Sequence, residues 1–320
     1  MFERLRQHRV VQESSSNQEL AGSIITIFIG LYNAEQYLDS ILEFLKSQAD
    51  DYQVLIVDNA SSDATWLKIQ DWPVELTNRF TLVKNPINLG ATGSLSLNLD
   101  LIRTPWVSTI HQDDLYLKNH VNVQVEAIKS ATPDCNCVVT DMGSLSSSGR
   151  VSSGRPRASW LLPDDAPETH FIANLKLHSV PFPAAAFRVE KLREHPIPWH
   201  STAMPDTEWV LKTIGPNGIL HVPRKTMHYR ENPFSESHSL SESESQLGNL
   251  MALNRVLNSD SFFQLLKSVP RQDRSRFAEA TLEGLRIRIK DDDRFALISL
   301  AAAEQMALAW DYSEWTSLHV

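Results

Sequence analysis

The sequence predicts an α/β protein with an open, mostly parallel central sheet, helices on its faces and a helical appendage at the C-terminus. Three observations carry that prediction. First, short β-branched apolar runs alternate with amphipathic helical patterns from Ile24 to about residue 130. Alternation at such short spacing builds βαβ units, whose strands lie parallel. Second, the first apolar run is nearly continuous, the mark of a strand covered on both faces. Third, the pattern beyond residue 246 is helical only. Ala278, Leu282, Leu285 and Ile289 form one stripe there, and residues 295–308 are apolar on most sides.

The elements follow in order. Residues 1–22 read as a polar leader, in part helical, without the apolar core of a signal peptide. Ile24-Ile25-Thr26-Ile27-Phe28-Ile29 is the first strand. Asn33, with Gln36 three residues on, reads as a helix N-cap with a capping box. Tyr37, Ile41 and Leu45, four residues apart, would be the buried stripe of that helix. Val54-Leu55-Ile56-Val57 forms the second strand and closes on Asp58. The turn Asn59-Ala60-Ser61-Ser62 and a helix over 63–70 follow, with Ser61, Ser62 and Asp63 best read as its cap. The third strand is 80–84. A loop with Pro86, Asn88 and Gly90 leads into a helix that places Leu95, Leu99 and Ile102 on one face. The fourth strand, 106–110, ends in His111-Gln112-Asp113-Asp114, and the next helix turns Val121, Val125 and Ile128 inward.

After Val138-Val139-Thr140, the Ser- and Gly-rich stretch 143–154 reads as a turn or loop. Residues 155–200 are proline-rich and irregular, with a short strand at 184–188, and 206–214 reads as helix. Serine occupies every second position from 235 to 245, a composition that cannot bury a core and reads as a flexible segment. The chain therefore divides into a leader (1–22), a catalytic-size domain (23–240) and a helical region (246–320).

Composition excludes several classes. Of 320 residues, 42% are hydrophobic and 22% charged, which is globular and rules out wholesale disorder. Thirty Lys and Arg against 39 Asp and Glu give a net charge of −9. Such a chain lacks the cation excess that a general nucleic-acid binder needs. Two cysteines, Cys135 and Cys137, cannot make a disulfide framework or a Cys-based zinc site, and a reducing cytoplasm fits. No run reaches ~18 apolar residues, so no bilayer span is expected, while peripheral attachment stays open. The turn after the first strand is Gly30-Leu31-Tyr32-Asn33, not G-x-G-x-x-G. Neither a P-loop nor a G-x-S-x-G elbow occurs in the chain.

Open parallel sheets bind ligands at the carboxyl ends of their strands. Those ends carry Tyr32, Asn33, Asp58, His111, Asp113 and Asp114. Asp113 and Asp114 are hard-oxygen ligands suited to Mg²⁺ or Mn²⁺, or else a helix start whose dipole they meet. Asp58 would accept a ring N–H such as that of uracil or thymine, or simply form the turn. Tyr32 would lie flat on a base, or sit partly buried.

Four blocks in this order and spacing resemble the family 2 glycosyltransferases of GT-A fold, over residues 23–240. They are Thr26 to Asn33, Asp58-Asn59-Ala60-Ser61-Ser62-Asp63-Ala64-Thr65, the Asn85/Asn88/Gly90 loop, and His111-Gln112-Asp113-Asp114. The resemblance implies a GT-A-like nucleotide-diphospho-sugar transferase fold. It also implies an inverting hexosyltransferase that moves a sugar from a nucleotide-diphosphate sugar to an acceptor hydroxyl, in surface polysaccharide or glycan synthesis. It places Tyr32, Asn33, Asp58, Asn88, His111 and Asp113 in the nucleotide-sugar site, with Asp113 and Asp114 on a divalent cation, Mn²⁺ or Mg²⁺. His111 stands where the family's D-x-D motif has its first Asp, so it would ligate, hydrogen-bond or pack. Pro205-Asp206-Thr207-Glu208 resembles the block that supplies the catalytic base, with Asp206 in the base position, Pro205 in place of the usual Glu, and Glu208 as the next candidate. His228-Tyr229-Arg230 resembles a late motif near the donor phosphates, where Arg230 would offset charge and His228 would contact phosphate or metal.

The implied partners are a nucleotide-sugar donor and a glycan or lipid-linked acceptor, with no nucleic acid. The C-terminal helices would serve a homodimer, a peripheral membrane face or the acceptor. The implied location is the cytoplasm or the inner face of the membrane. Two other readings stay open. One is a nucleotidyltransferase, which shares the α/β sheet, paired Asp and Mg²⁺. The other is a non-catalytic scaffold that keeps the fold.

Overall fold

The computed structural model describes residues 2–13, 23–48, 52–72, 80–146, 148–152, 180–197, 205–214, 218–230 and Arg255. The chain divides into two compact units. The first comprises Met1–Leu161, Pro181–Trp199 and Leu220–Asn232; the second comprises Leu162–Val180, His200–Ile219 and Pro233–Val320.

The first unit is built on one sheet. Its strands are β1 (Val10–Glu13), β2 (Ile25–Leu31), β3 (Tyr52–Asp58), β4 (Phe80–Lys84), β5 (Trp106–Ile110), β6 (Leu115–Tyr116), β7 (Cys137–Leu145), β8 (Val151–Ser152), β9 (Ala185–Arg188) and β10 (Ile219–Arg230). Its helices are α1 (Phe2–Arg6), α2 (Leu38–Ser47), α3 (Thr65–Gln70), α4 (Gly90–Asn98), α5 (His120–Ser130) and α6 (Val189–Glu194). The spatial order among the described residues is β1-β4-β3-β2-β5-β9-β7-β10-β6, with β8 beside β7. Strands β4, β3, β2 and β5 are mutually parallel. β9 then runs antiparallel to both β5 and β7.

The parallel strands are apolar because both faces are covered. Ile25, Ile27, Ile29 and Leu31 of β2 are fully enclosed, as are Ile56 and Val57 of β3. On α2 the buried residues Leu38, Ile41, Phe44 and Leu45 recur at helical spacing. Each such side chain contributes about 1.5–3 kcal/mol when fully buried. Thr26 is tolerated in this core because its hydroxyl meets that of Thr104 at 2.6 Å.

Register decides what stands at the carboxyl rim. Leu31 lies opposite Asp58, Asp58 opposite Lys84, and Ile29 opposite Ile110. The ends of β2, β3, β4 and β5 therefore finish in one row.

Several sequence expectations are corrected. Asn33 caps no helix, because its backbone is left-handed (φ 48°) and its side chain is engaged elsewhere. Asn tolerates that conformation at low cost. Ala34 instead precedes a single 3₁₀ turn, Glu35–Tyr37, and α2 begins only at Leu38. Tyr37 therefore belongs to the 3₁₀ turn that leads into α2.

The leader holds α1 and the edge strand β1, whose residues are all exposed, so no alternating pattern announces it. Arginines fasten this arm: Arg6 Nε donates to the Leu97 carbonyl (2.9 Å), and Arg9 meets Asp100 at 2.6 Å. The 143–154 stretch is a turn flanked by strand, because β7 runs on to Leu145 and pairs with β8 across a turn at Gly149 (φ 81°). β10 escaped sequence reading because Pro223, Arg224 and Lys225 interrupt its apolar pattern. The expectations for 14–22, 153–179, 234–245 and 246–320 (Arg255 apart) lie outside the described residues.

Gly143 of β7 lies under the imidazole of His228 on β10. A Cβ at 143 would meet Nδ1 and, at 2.9 Å, Cε1 of that ring. Gly143→Ala should therefore cost about 1–3 kcal/mol by overpacking, read as a lower urea midpoint at unchanged slope.

In the second unit, α7 (Pro205–Thr213) opens on Pro205, a residue suited to a first helical turn. Trp209, Val210 and Ile214 are buried. The buried Glu208 carboxylate takes the Arg255 Nε at 2.9 Å.

Candidate active site

The rim of the first unit is organised by hydrogen bonds between loops. Tyr32, the first residue past β2, is exposed. Its N–H donates to Gln112 Oε1 (2.8 Å) and its carbonyl accepts from Gln112 Nε2 (3.1 Å). This reciprocal pair ties the end of β2 to the end of β5 and leaves the Tyr32 ring at the surface. The loop after β2 is laced to the loop after β3. The Asn33 N–H donates to Ser61 Oγ (3.0 Å), and Asn33 Oδ1 accepts from the Ser62 N–H (2.9 Å) and hydroxyl (3.2 Å). Ala34 donates to Thr65 Oγ1 (2.8 Å), and Glu35 to Asp63 Oδ2 (3.1 Å). Asp63 Oδ1 also accepts from the Thr65 N–H (3.0 Å). Ser61, Ser62 and Asp63 thus hold two loops together as well as supporting α3. Ala60, just before Ser61, is left-handed (φ 64°), a strained position for a residue with a Cβ.

Beneath these loops lies a buried asparagine network. Asn59 Oδ1 accepts from Asn85 Nδ2 (3.0 Å) and from the Leu89 N–H (3.3 Å), while Asn59 Nδ2 donates to the Gly90 carbonyl (3.0 Å). Asn85 continues to Ser94 (3.1 Å), and its Oδ1 accepts from Asn98 (3.2 Å). The network fixes the turn before α4, where Gly90 is left-handed (φ 68°). Asn88 Oδ1 accepts from the Gly90 N–H within that turn (2.9 Å).

Asp58 is fully enclosed at the end of β3. Its Oδ1 accepts from the Ser61 N–H (3.3 Å). Its Oδ2 has no hydrogen-bond partner among the described residues, and the nearest cation is Lys84 Nζ at 3.9 Å. Lys84 also lies 5.5 Å from the Trp66 ring centre. The sequence reading missed Lys84; its register opposite Asp58 is a tertiary fact.

The acidic turn after β5 is held from several directions. The His111 N–H donates to the Tyr116 hydroxyl (2.9 Å). Burial pulls the His111 imidazole down, against the nearby Asp113 carboxylate. Asp113 is half-buried, and its carbonyl accepts from Arg230 Nε (2.6 Å). Asp114 is buried: its Oδ1 accepts from the Arg230 N–H (2.8 Å), and its Oδ2 is buried without a hydrogen-bond partner among the described residues. Burial pushes its carboxyl well above the usual carboxylate range. Tyr37 joins this neighbourhood: burial raises its hydroxyl, Asp113 adds to the rise and Arg230 opposes it. Burial likewise lowers His228.

The structure thus brings His111, Asp113, Asp114 and Arg230 together, ties Tyr32 to the same turn through Gln112, and links Asn33 to the loop that covers Asp58. Asp206 belongs to the second unit, where it stands half-buried in the first turn of α7. Carboxylates at a helix N-terminus are stabilised by the helix dipole.

A divalent cation fits the donor set in kind, since carboxylate oxygens are the hard ligands that Mn²⁺ and Mg²⁺ prefer. Among the described residues no group of three or more His, Cys, Asp or Glu gathers to hold one. A cation here would complete its shell with oxygens from a bound diphosphate. Among the described residues, no helix is long and apolar enough to cross a membrane.

A parallel βαβ sheet with an acidic turn at its carboxyl rim defines the scaffold of a GT-A-type transferase. The chain belongs to glycosyl transferase family 2, whose model matches residues 26–195, more than half of its length. It is 26% identical over 103 residues to the UDP-Glc:alpha-D-GlcNAc-diphosphoundecaprenol beta-1,3-glucosyltransferase WfgD of Escherichia coli, covering 32% of this chain and 40% of that protein. It is 25% identical over 145 residues to the abequosyltransferase RfbV of Salmonella typhimurium, covering 44% and 42%. The chain spans less than half the length of the curated relatives it matches, from 28% to 42%. Among solved structures it resembles S. aureus TarS 1-349 in complex with UDP-GlcNAc, with TM-score 0.59 and 15% identity over 89% of each chain. It also resembles the mannosyltransferase PcManGT of Pyrobaculum calidifontis in complex with GDP-Man and Mn²⁺, with TM-score 0.54 and 14% identity over 99% of this chain and 88% of that one. At these identities the likeness concerns the fold.

Proposed function

We propose that the protein transfers a sugar from a nucleotide-diphosphate sugar to an acceptor hydroxyl, with inversion. The single observation that carries this reading is the acidic turn at the rim of the parallel sheet, where the Arg230 guanidinium is held on the backbone carbonyl of Asp113 at 2.6 Å and so stands in the same turn as its carboxylate. A carboxylate beside a guanidinium is suited to a metal–diphosphate, which needs both a hard-oxygen ligand and a counter-charge.

In this reading Tyr32 lies against the base, and Asp58 Oδ2 accepts a ring N–H. That oxygen is covered, so the base must displace a neighbouring side chain to reach it. Asn33 and Asn88 shape the donor loops through the hydrogen bonds already described. His111 packs beneath the donor and gives its backbone N–H to Tyr116. A bound divalent cation on Asp113, with Asp114 behind it, would stabilise negative charge on the departing diphosphate. Arg230 offsets phosphate charge, and His228 stands on the same strand. Asp206 takes the proton from the acceptor hydroxyl as that oxygen attacks the anomeric carbon. Glu208 is a poor base by comparison, because it is buried and paired with Arg255. The name of WfgD, which acts on a diphosphoundecaprenol-linked sugar, supports a lipid-linked glycan acceptor as the acceptor class, in keeping with surface polysaccharide or glycan synthesis. A nucleotidyltransferase or a scaffold is disfavoured by the family membership, and among the described residues no specific contact favours either.

The test is a nucleotide-sugar panel with UDP-, GDP-, dTDP-, CDP- and ADP-linked sugars, followed by thermal stabilisation with and without Mn²⁺. One base is expected to raise the melting temperature, and Asp58→Asn should weaken that nucleotide at least tenfold. Stabilisation by none of them, or equal stabilisation by all, would sink the reading.

A further inference from the structure

We propose that Asp114 is a positioning residue rather than a cation ligand, and that Tyr116 shares its task of holding the His111–Asp113 turn so that Asp113 alone presents a carboxylate to the donor. The inference rests on the donor-site reading above and assigns different jobs to two adjacent acids that sequence treats alike.

The geometry separates them. Asp113 is half-buried, whereas Asp114 is 7% exposed. The two acids sit in the turn between β5 and β6, and their burial sets them apart. Asp114 faces inward. Its Oδ1 is taken by the Arg230 N–H (2.8 Å), and its Oδ2 is enclosed. This bond extends the short ladder between β6 and β10, in which Tyr116 pairs with Met227 and Leu115 with His228. The Leu117 N–H donates to the Thr226 carbonyl (2.9 Å) and continues that ladder. Arg230 in turn holds the Asp113 carbonyl. Asp114 thus fixes the residue that fixes Asp113.

Tyr116 works from the other end of the turn. Its hydroxyl accepts the His111 N–H (2.9 Å). Its ring is set by Phe44 at 5.2 Å and by His120 at 4.9 Å between centroids. His120 is itself anchored to Thr226 (2.8 Å), which meets Thr140 at 2.6 Å. The turn is therefore pinned to α2, α5, β7 and β10 by buried side chains. Such support is what keeps a reactive carboxylate within tenths of an ångström of its working position.

The experiment measures calorimetric affinity for UDP, GDP, CDP, ADP and dTDP, each with and without Mn²⁺, together with urea midpoints. It compares wild type with Asp113→Asn, Asp114→Asn, Asp114→Ala and Tyr116→Phe. Asp114→Asn keeps an oxygen for the Arg230 N–H and should bind within threefold of wild type. Asp114→Ala and Tyr116→Phe should lose at least tenfold of the Mn²⁺-dependent affinity while the Mn²⁺-free affinity holds. Asp113→Asn should lose the Mn²⁺ dependence altogether. If Asp114→Asn fell as far as Asp113→Asn, Asp114 would be a ligand and the proposal would be overturned. Wild-type behaviour of both Asp114→Ala and Tyr116→Phe would also overturn it, with the donor-site reading left standing. A wild type that shows no Mn²⁺ dependence with any nucleotide would overturn both. Asp114→Asn and Tyr116→Phe are near-isosteric, so a folding failure confined to Asp114→Ala leaves the other comparisons decisive.

Discussion

Asp206→Asn is expected to lower the turnover number for sugar transfer by about 10²–10⁴-fold, the usual contribution of a positioned general base. Affinity for the nucleotide should stay within twofold. The two effects separate because Asn keeps the shape and the hydrogen-bonding oxygen of Asp and loses only the ability to take a proton. Folding should be little changed. The first turn of α7 loses one favourable charge, worth about 0.3–1 kcal/mol, while Trp209, Val210 and Ile214 keep the helix anchored. Steady-state kinetics with saturating acceptor, beside calorimetry of the nucleotide, read the two quantities independently. Transfer retained above a tenth of wild type would move the base elsewhere, and Glu208 is disfavoured as its replacement because Arg255 already holds it.

The second large effect is on stability. Asn59 is 3% exposed and joins three segments: the end of β3, Asn85 after β4, and the turn before α4. Asn59→Ala would leave the Leu89 N–H and the Gly90 carbonyl without their partner, and Asn85 Nδ2 with Ser94 only. A buried group left unsatisfied costs about 1–3 kcal/mol, so a loss of about 3 kcal/mol is expected from urea unfolding. Because the same turn carries Asn88, nucleotide affinity should fall as well, which a purely scaffolding asparagine elsewhere in the core would not produce. A loss under 0.5 kcal/mol would show that water replaces the missing amide.

Much of the parallel part of the fold was legible in sequence. The strands at 80–84 and 106–110 match β4 and β5 residue for residue, and β2 and β3 differ only at their ends. Continuous β-branched runs leave little choice of structure once both faces are to be covered. The helix over 120–130 also appeared where Val121, Val125 and Ile128 implied it, with Val121 buried and the other two packed against the core. β1 and β10 were not legible. The first is exposed along its length and the second is interrupted by Pro223, Arg224 and Lys225, so neither shows a period.

At the rim, residue types did not report the contacts that the side chains make. Asn33 looked like a cap and instead laces two loops. Tyr37 looked like a core residue, yet its hydroxyl feels Asp113 and Arg230. Tyr116 and Lys84 carried no signal, since a lone tyrosine and a lone lysine are uninformative until their partners are known.

By itself, the sequence determined the alternation of strand and helix and, through it, the edge where acids gather. Both follow from local periodicity and from the handedness of βαβ crossovers, which act over a few tens of residues. Only tertiary structure decided which of two adjacent carboxylates turns inward. That choice rests on Arg230, 116 residues further along the chain, and no local pattern reports a hydrogen bond made across that separation.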